Sequence, residues 1–367
     1  MRVLVSLPER LYKQIEKLCD DGRYDSVSTF LRVAAENQLL LEEDDTSSRV
    51  VVNGVYGRSA TVLPPAPSRS GTYHVQHSSA LDHEEDWRME LREAPTRLVR
   101  TFNLTEELFS QPDVLPLASA ATDVLPGLIS RLLPVKFAVR VLYSILGTTG
   151  KETVELHSFL DKVGEYALRM GDRLAEQDRA SGRRREEGFA AGFPTSSRDA
   201  GKSKDRYRNL FVASVRSKER RADGALPFLK LSVLREVRGE VHIGLTSAGG
   251  EFARISNPVI DGTPEHDVAL SIDERNFLIE HVRRWVPGEY KAAQLVLAAV
   301  NEGITDRSAL NEILAAEWDS WSADQVNSWR SGLLSRLSEL GLLERVRDGR
   351  TLEYRVSRSG RKLLAME

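Results

Sequence analysis

Arg2, Leu4 and Ser6 stand two residues apart in "RVLVSLP", with Val3, Val5 and Leu7 between them. Strict alternation of this kind belongs to a β-strand with one buried and one open face. Burying Val3, Val5 and Leu7 sends Arg2, Leu4 and Ser6 outward. There a guanidinium can fork onto guanine, a hydroxyl can donate or accept, and a leucine can touch a thymine methyl group. A second set, Lys202, Lys204, Arg206 and Asn209, recurs at helical spacing, and Arg216 and Arg220 continue the series. With Arg183, Arg184 and Arg185 upstream, this is the most basic part of the chain, as phosphate binding requires. The plain alternative is a solvated helix face.

A third set lies near the C-terminus. Val326, Trp329, Leu333, Leu334 and Leu337 form an apolar stripe on a helix that Ser322 caps. Gln325, Asn327, Ser328, Arg330, Ser331 and Arg336 lie off that stripe and are free to read a groove. Arg345, Arg347 and Arg350 then surround Asp348-Gly349, a dipeptide favoured in type I′ hairpin turns. Such a hairpin projects the three arginines together at its tip.

Other chemistry is weighed and set aside. His74, His77 and His83 stand beside Asp82 and Glu84, donors that could hold a zinc-like ion. They fall in a polar stretch without period, so no metal site is assigned. No nucleophile elbow, phosphate loop or dinucleotide glycine motif is present, so neither an enzyme nor a cofactor is expected. Cys19 is the only cysteine. It falls on the helical pattern of Leu11, Ile15 and Leu18, which makes it a packing residue.

The elements that must position these groups fall into four parts. Residues 1–45 read as the strand, a helix from Pro8 to Gly22 and a second helix that Asp25 or Ser26 caps. Residues 46–95, rich in Pro, Ser and charge, read as a flexible linker. Residues 96–265 carry helices at "LPVKFAVRVLYSIL", "TVELHSFLDKVGEYALRMGDRLAEQ" and "KDRYRNLFVASV", followed by two β-like runs and a short helix. In that region Gly249 and Gly250 read as turn residues. Residues 266–367 repeat the order of three helices and a hairpin, and gather Trp285, Trp318, Trp321 and Trp329. The fold class expected is mainly α with small β elements, α+β.

The opening stretch resembles the ribbon-helix-helix family of DNA-binding proteins. The resemblance is carried by "RVLVSLP", "ERLYKQIEKLCDDG" and "YDSVSTFLRVA". It implies that two chains pair their strands into a ribbon that enters the major groove. The chain is then a homodimer through its N-terminal strand, with Arg2, Leu4 and Ser6 on bases. Leu4 departs from the polar residue usual at the middle reading position. The free amides near Ser26, Val27 and Ser28 suit a phosphate. A ribbon that only dimerises is the alternative.

"SRLSELGLLERVRDGRTLEYRVSRSG" resembles the helix and wing of prokaryotic winged helix-turn-helix regulators, and residues 96–265 share the element order. Such modules bind DNA or dock protein partners, and both readings stay open here.

Global charge gives little guidance. A net charge of -3 does not announce a polyanion partner, so the argument rests on local patches. Of 51 basic residues 40 are arginine, the better fork for phosphate and guanine. The stretch Leu132 to Leu146 is broken by Lys136 and Arg140 and is too short for a bilayer. No signal peptide is read at the N-terminus. The expectation is a cytoplasmic, nucleoid-associated regulator of transcription that binds double-stranded DNA. Plasmid or chromosome partition, replication initiation, or a protein-docking scaffold are the alternatives.

Overall fold

The computed structural model describes residues 87–118, 124–184, 187–196, 199–216, 218–262, 268–348 and 351–365. The expectations for residues 1–45, including Arg2, Leu4, Ser6, Ser26, Val27 and Ser28, fall outside them. So do those for Cys19 and the histidine cluster. Every described residue belongs to one compact unit, residues 75–367.

The last residues of the expected linker are helical. Residues 87–93 form a helix, α1. Trp87 and Leu91, four residues apart on one face, are buried in the central core. The rest of the central module follows as α2 (Leu133–Thr149), β1 (Thr153–Glu155), α3 (Leu156–Ala180) and α4 (Ala200–Tyr207). A wider helical turn at Arg208–Val212 extends α4. Next come β2 (Ser214–Arg216), β3 (Arg221–Asp223), α5 (Ala225–Phe228), β4 (Ser232–Val237) and β5 (Glu240–Leu245). Two short helices close the module, α6 (Ser247–Arg254) and α7 (Pro258–Asp261).

β1, β5 and β4 form an antiparallel sheet in that order, with Ile243 facing Val154 on one side and Leu234 on the other. The start of α3 is fixed locally, because the Glu155 carboxylate accepts from the amides of His157 and Ser158. Gly249 and Gly250 are not turn residues: both are buried inside α6. A Cβ on Gly249 would meet the Leu231 carbonyl at 1.9 Å, so α6 can cross the chain there only at glycine.

Lys136 and Arg140, which interrupt the apolar run in sequence, are fully buried on α2. They serve the end of α6. Lys136 Nζ donates to the carbonyls of Phe252 and Ile255, and Arg140 donates to those of Ala253 and Ile255. Those carbonyls have no intrahelical donor, and the negative end of the helix favours a cation beside it. Glu274 at 2.9 Å and Asp261 at 2.8 Å neutralise the two side chains.

Burial pulls the Lys136 ammonium from the ordinary 10.5 down to about 8, although Glu274 opposes the shift. Between about pH 8 and 10 an unfolded chain keeps a proton that the folded chain sheds. The contribution of Lys136 to stability is therefore greatest above 10.5 and is lost as pH falls to about 8. Urea unfolding of wild type and Lys136→Met across that window should show stability rising with pH more steeply in the wild type. Parallel pH dependences would refute the assignment.

The C-terminal part comprises α8 (Ile272–Trp285), α9 (Pro287–Asn301), α10 (Arg307–Glu317) and α11 (Ala323–Glu339). The hairpin β6 (Leu343–Asp348) and β7 (Thr351–Val356) follows, then α12 (Arg358–Leu364). Asp348 is itself paired with Thr351, so it belongs to the ladder and not to the turn. Capping boxes start α8 at Ser271/Glu274 and α11 at Ser322/Gln325.

Leu278 of α8 is buried in the central core, with Phe277 and Trp285 packed on it. A second core holds Val124 and otherwise runs from Ala292 on α9 onward. The core therefore changes hands within or after α8, later than residue 266. Trp285 accordingly stands apart from the stacked series Trp318, Trp321 and Trp329, whose ring centroids are 4.8 and 4.7 Å apart. The described residues are mainly helical with small antiparallel sheets, α+β. Among them no helix is long and apolar enough to cross a membrane.

Candidate nucleic-acid interface

Residues 199–223 hold eight basic and four acidic side chains on one connected stretch. Asp199 starts it by capping α4, its carboxylate accepting from the Lys202 amide at 3.1 Å. Tyr207 and Phe211 anchor the inner face, Tyr207 by donating to the Pro134 carbonyl at 3.1 Å. That anchoring leaves Lys202, Arg206 and Asn209 exposed on the outer face.

Arg216 and Arg220 do not extend this helical face, because the helix ends at Val212. The chain turns into the β2–β3 hairpin, where Arg216 pairs with Arg221 across the ladder. Segment 116–118 holds the hairpin in place: Ala222 donates to the Pro116 carbonyl and the Ala118 amide donates to the Ala222 carbonyl. Arg216, Lys218, Arg220 and Arg221 are all exposed there.

Many of these cations have acidic neighbours. Arg216 pairs with Asp223 at 2.9 Å, Arg220 with Glu236, Lys202 with Asp199 at 3.5 Å and Lys204 with Glu165. Exposed pairs of this kind contribute only ~0–1 kcal/mol each. Exchanging such a carboxylate for a phosphate therefore costs little. Of this set Lys204 is the most covered, and it is set back on the α3 side.

The C-terminal helix is a different surface. Gln325 and Asn327 are exposed, but Gln325 Oε1 accepts from the Ser322 amide and Asn327 Oδ1 accepts from Arg330 at 2.6 Å. Arg330 and Arg336, expected to face outward, are buried. Arg330 lies on the side of Asp306, Arg307 and Tyr354, while Arg336 is covered by residues 124–133, which lie along α11. Trp329 Nε1 donates to the Val124 carbonyl at 3.4 Å, and Arg336 donates to those of Leu125, Pro126 and Ile129. Glu289 of α9 accepts from Arg336 and from the Leu125 amide. Glu339 accepts from the amides of Leu132 and Leu133 and so caps α2.

Ser328 lies inside this contact, too close to Gly127 for any side chain at residue 127. A Cβ on Gly332 would meet the Gly127 carbonyl at 2.2 Å, backbone against helix. Gly332→Ala should therefore destabilise the unit by ~1–3 kcal/mol, the usual cost of overpacking. On helix propensity alone the same change stabilises, by ~0.8–1.0 kcal/mol. A urea midpoint that rises would show that residues 124–133 are not held against α11.

Arg345 also departs from expectation. It is half-buried and donates to Ser335 Oγ at 3.3 Å, so it folds back on α11 instead of joining Arg347 at the hairpin tip. Arg347 is exposed, and Arg350 falls outside the described residues. The exposed start of α11 carries Asp324, with Glu317 and Asp319 nearby in sequence and also exposed. Among the described residues no group of acidic, histidine or cysteine side chains is arranged to hold a metal ion.

No family model, curated protein or solved structure matches the chain.

Proposed function

We propose that the protein is a sequence-specific double-stranded DNA-binding protein, a homodimeric transcriptional regulator. In this reading residues 1–45 form a ribbon-helix-helix, with Arg2, Leu4 and Ser6 on bases and Ser26, Val27 and Ser28 at a phosphate. The two helical modules are winged helices. The order helix, strand, two helices and, after the β2–β3 hairpin and α5, a second hairpin whose β5 lies between β1 and β4, supports that reading of the central module. The observation that carries DNA binding is the run of exposed cations along α4 and the β2–β3 hairpin. Phosphate contacts of this kind position a protein on the duplex, while base contacts specify the site.

For the C-terminal module a structural or protein-docking role is favoured. Its third helix is covered along one side by residues 124–133 and begins with an acidic exposed turn. Like charge opposes the approach of a phosphate backbone.

Cross-linking the full-length protein to DNA in its own cells and sequencing the recovered fragments tests the reading. Dispersed sites beside promoters are expected. One cluster of repeats would move the role to partition or replication initiation, and no enrichment would leave the docking scaffold.

A further inference from the structure

An open cavity of about 260 Å³ lies where the start of α2, the loop before α4, α8 and the C-terminal hairpin meet. On such a measure one water needs only ~10–15 Å³. Three separate elements bring Arg131, Arg275 and Arg345 to its wall. Glu339 and Glu187 also line it. The Glu339 carboxylate is already committed to the amides of Leu132 at 2.6 Å and Leu133 at 3.3 Å. Glu187 is exposed to solvent. Among the described lining residues three guanidinium groups face two carboxylates.

The arginines are held there at a cost. Burial draws the Arg345 guanidinium down, and the charge of Arg131 adds to the effect. Burial also lowers Arg275, against the pull of Glu339 and Glu274. Its Nε is buried without a hydrogen-bond partner among the described residues. A buried donor of this kind calls for an acceptor. Leu133, Phe189 and Val268 give the same cavity an apolar side.

We propose that this cavity binds a small organic anion, its oxyanion held among Arg131, Arg275 and Arg345 and its apolar body resting on Leu133, Phe189 and Val268. Guanidinium forks match carboxylate and phosphate equally well in geometry. The site does not depend on whether the chain binds DNA.

Calorimetric titration of the full-length protein with benzoate and with inorganic phosphate, in a buffer free of other oxyanions, tests it. Saturable binding of benzoate alone identifies a carboxylate ligand, and of phosphate alone a phosphoryl one. In either case Arg275→Gln should weaken binding at least tenfold. Ala191→Trp, which fills the cavity from the loop before α4 and removes no charge, should abolish it. The second variant decides the matter if the first does not fold. No saturation by either probe, or equal binding in the wild type and a folded variant, would overturn the site.

Discussion

Arg336→Met should cost about 3–5 kcal/mol of stability, the usual consequence of removing one partner from a buried ion pair. Arg336 is 2% exposed, so its charge is cancelled within the protein and not by water. Its Nε donates to Glu289 Oε1 at 2.8 Å and its Nη1 to the Ile129 carbonyl at 2.7 Å. Further donors reach Leu125 at 3.1 Å and Pro126 at 3.4 Å. Methionine fills the space of the stem but leaves Glu289 buried and charged and three carbonyls without that donor. The double change Arg336→Met with Glu289→Leu removes the stranded charge and should recover part of the loss. Recovery should stay incomplete, because the Leu125 amide and the carbonyls remain unsatisfied.

The form of the unfolding curve carries further information. The central and C-terminal cores are separate clusters, and residues 124–133 bridge them. Loosening that bridge should split one urea transition into two as the modules lose their coupling. A single transition at the wild-type midpoint would show that the bridge contributes little.

These contacts were not legible in the sequence, for a physical reason. Helix starts announce themselves within four residues, as Ser322 with Gln325 and Ser271 with Glu274 do. Apolar spacing likewise gives α2, α9 and α11 their inner faces. The bridge joins residues about two hundred positions apart, through backbone carbonyls that every residue carries. Arg336 is then assigned outward by the rule that charges avoid cores, a rule that fails when such groups are paired. One signal was present: it stands among Leu333, Leu334 and Leu337, where a solvated charge has little room.

The basic segment was half legible. The exposure of Lys202, Arg206 and Asn209 follows from the burial of Tyr207 and Phe211 at helical spacing. Arg216 and Arg220 are exposed too, on a hairpin of three-residue strands. Strands that short leave no alternation to read, and this pair is held by residues 116–118 far upstream. The helical period therefore ran on past the true end of the helix.

Replacing Lys202, Arg206, Lys218 and Arg220 together with alanine should change DNA binding far more than it changes the fold. Each phosphate contact on a duplex releases condensed counterions, so log K falls with log salt by ~0.9 per contact. Losing four contacts should flatten that slope by up to ~3–4 units per chain, with the largest loss of affinity at low salt. All four side chains are exposed, and the pairs of Lys202 with Asp199 and Arg220 with Glu236 are surface pairs. Thermal unfolding should consequently stay close to wild type. Arg347→Ala with Arg355→Ala is the matched control on the C-terminal hairpin, where both residues are exposed. If that module docks protein, the control leaves the slope unaltered while the fourfold variant flattens it. The reverse pattern would transfer the phosphate contacts to the C-terminal hairpin. Equal slopes in all three proteins would confine DNA contact to other parts of the chain, and the acidic pairs along α4 and β2–β3 would then be partners in their own right.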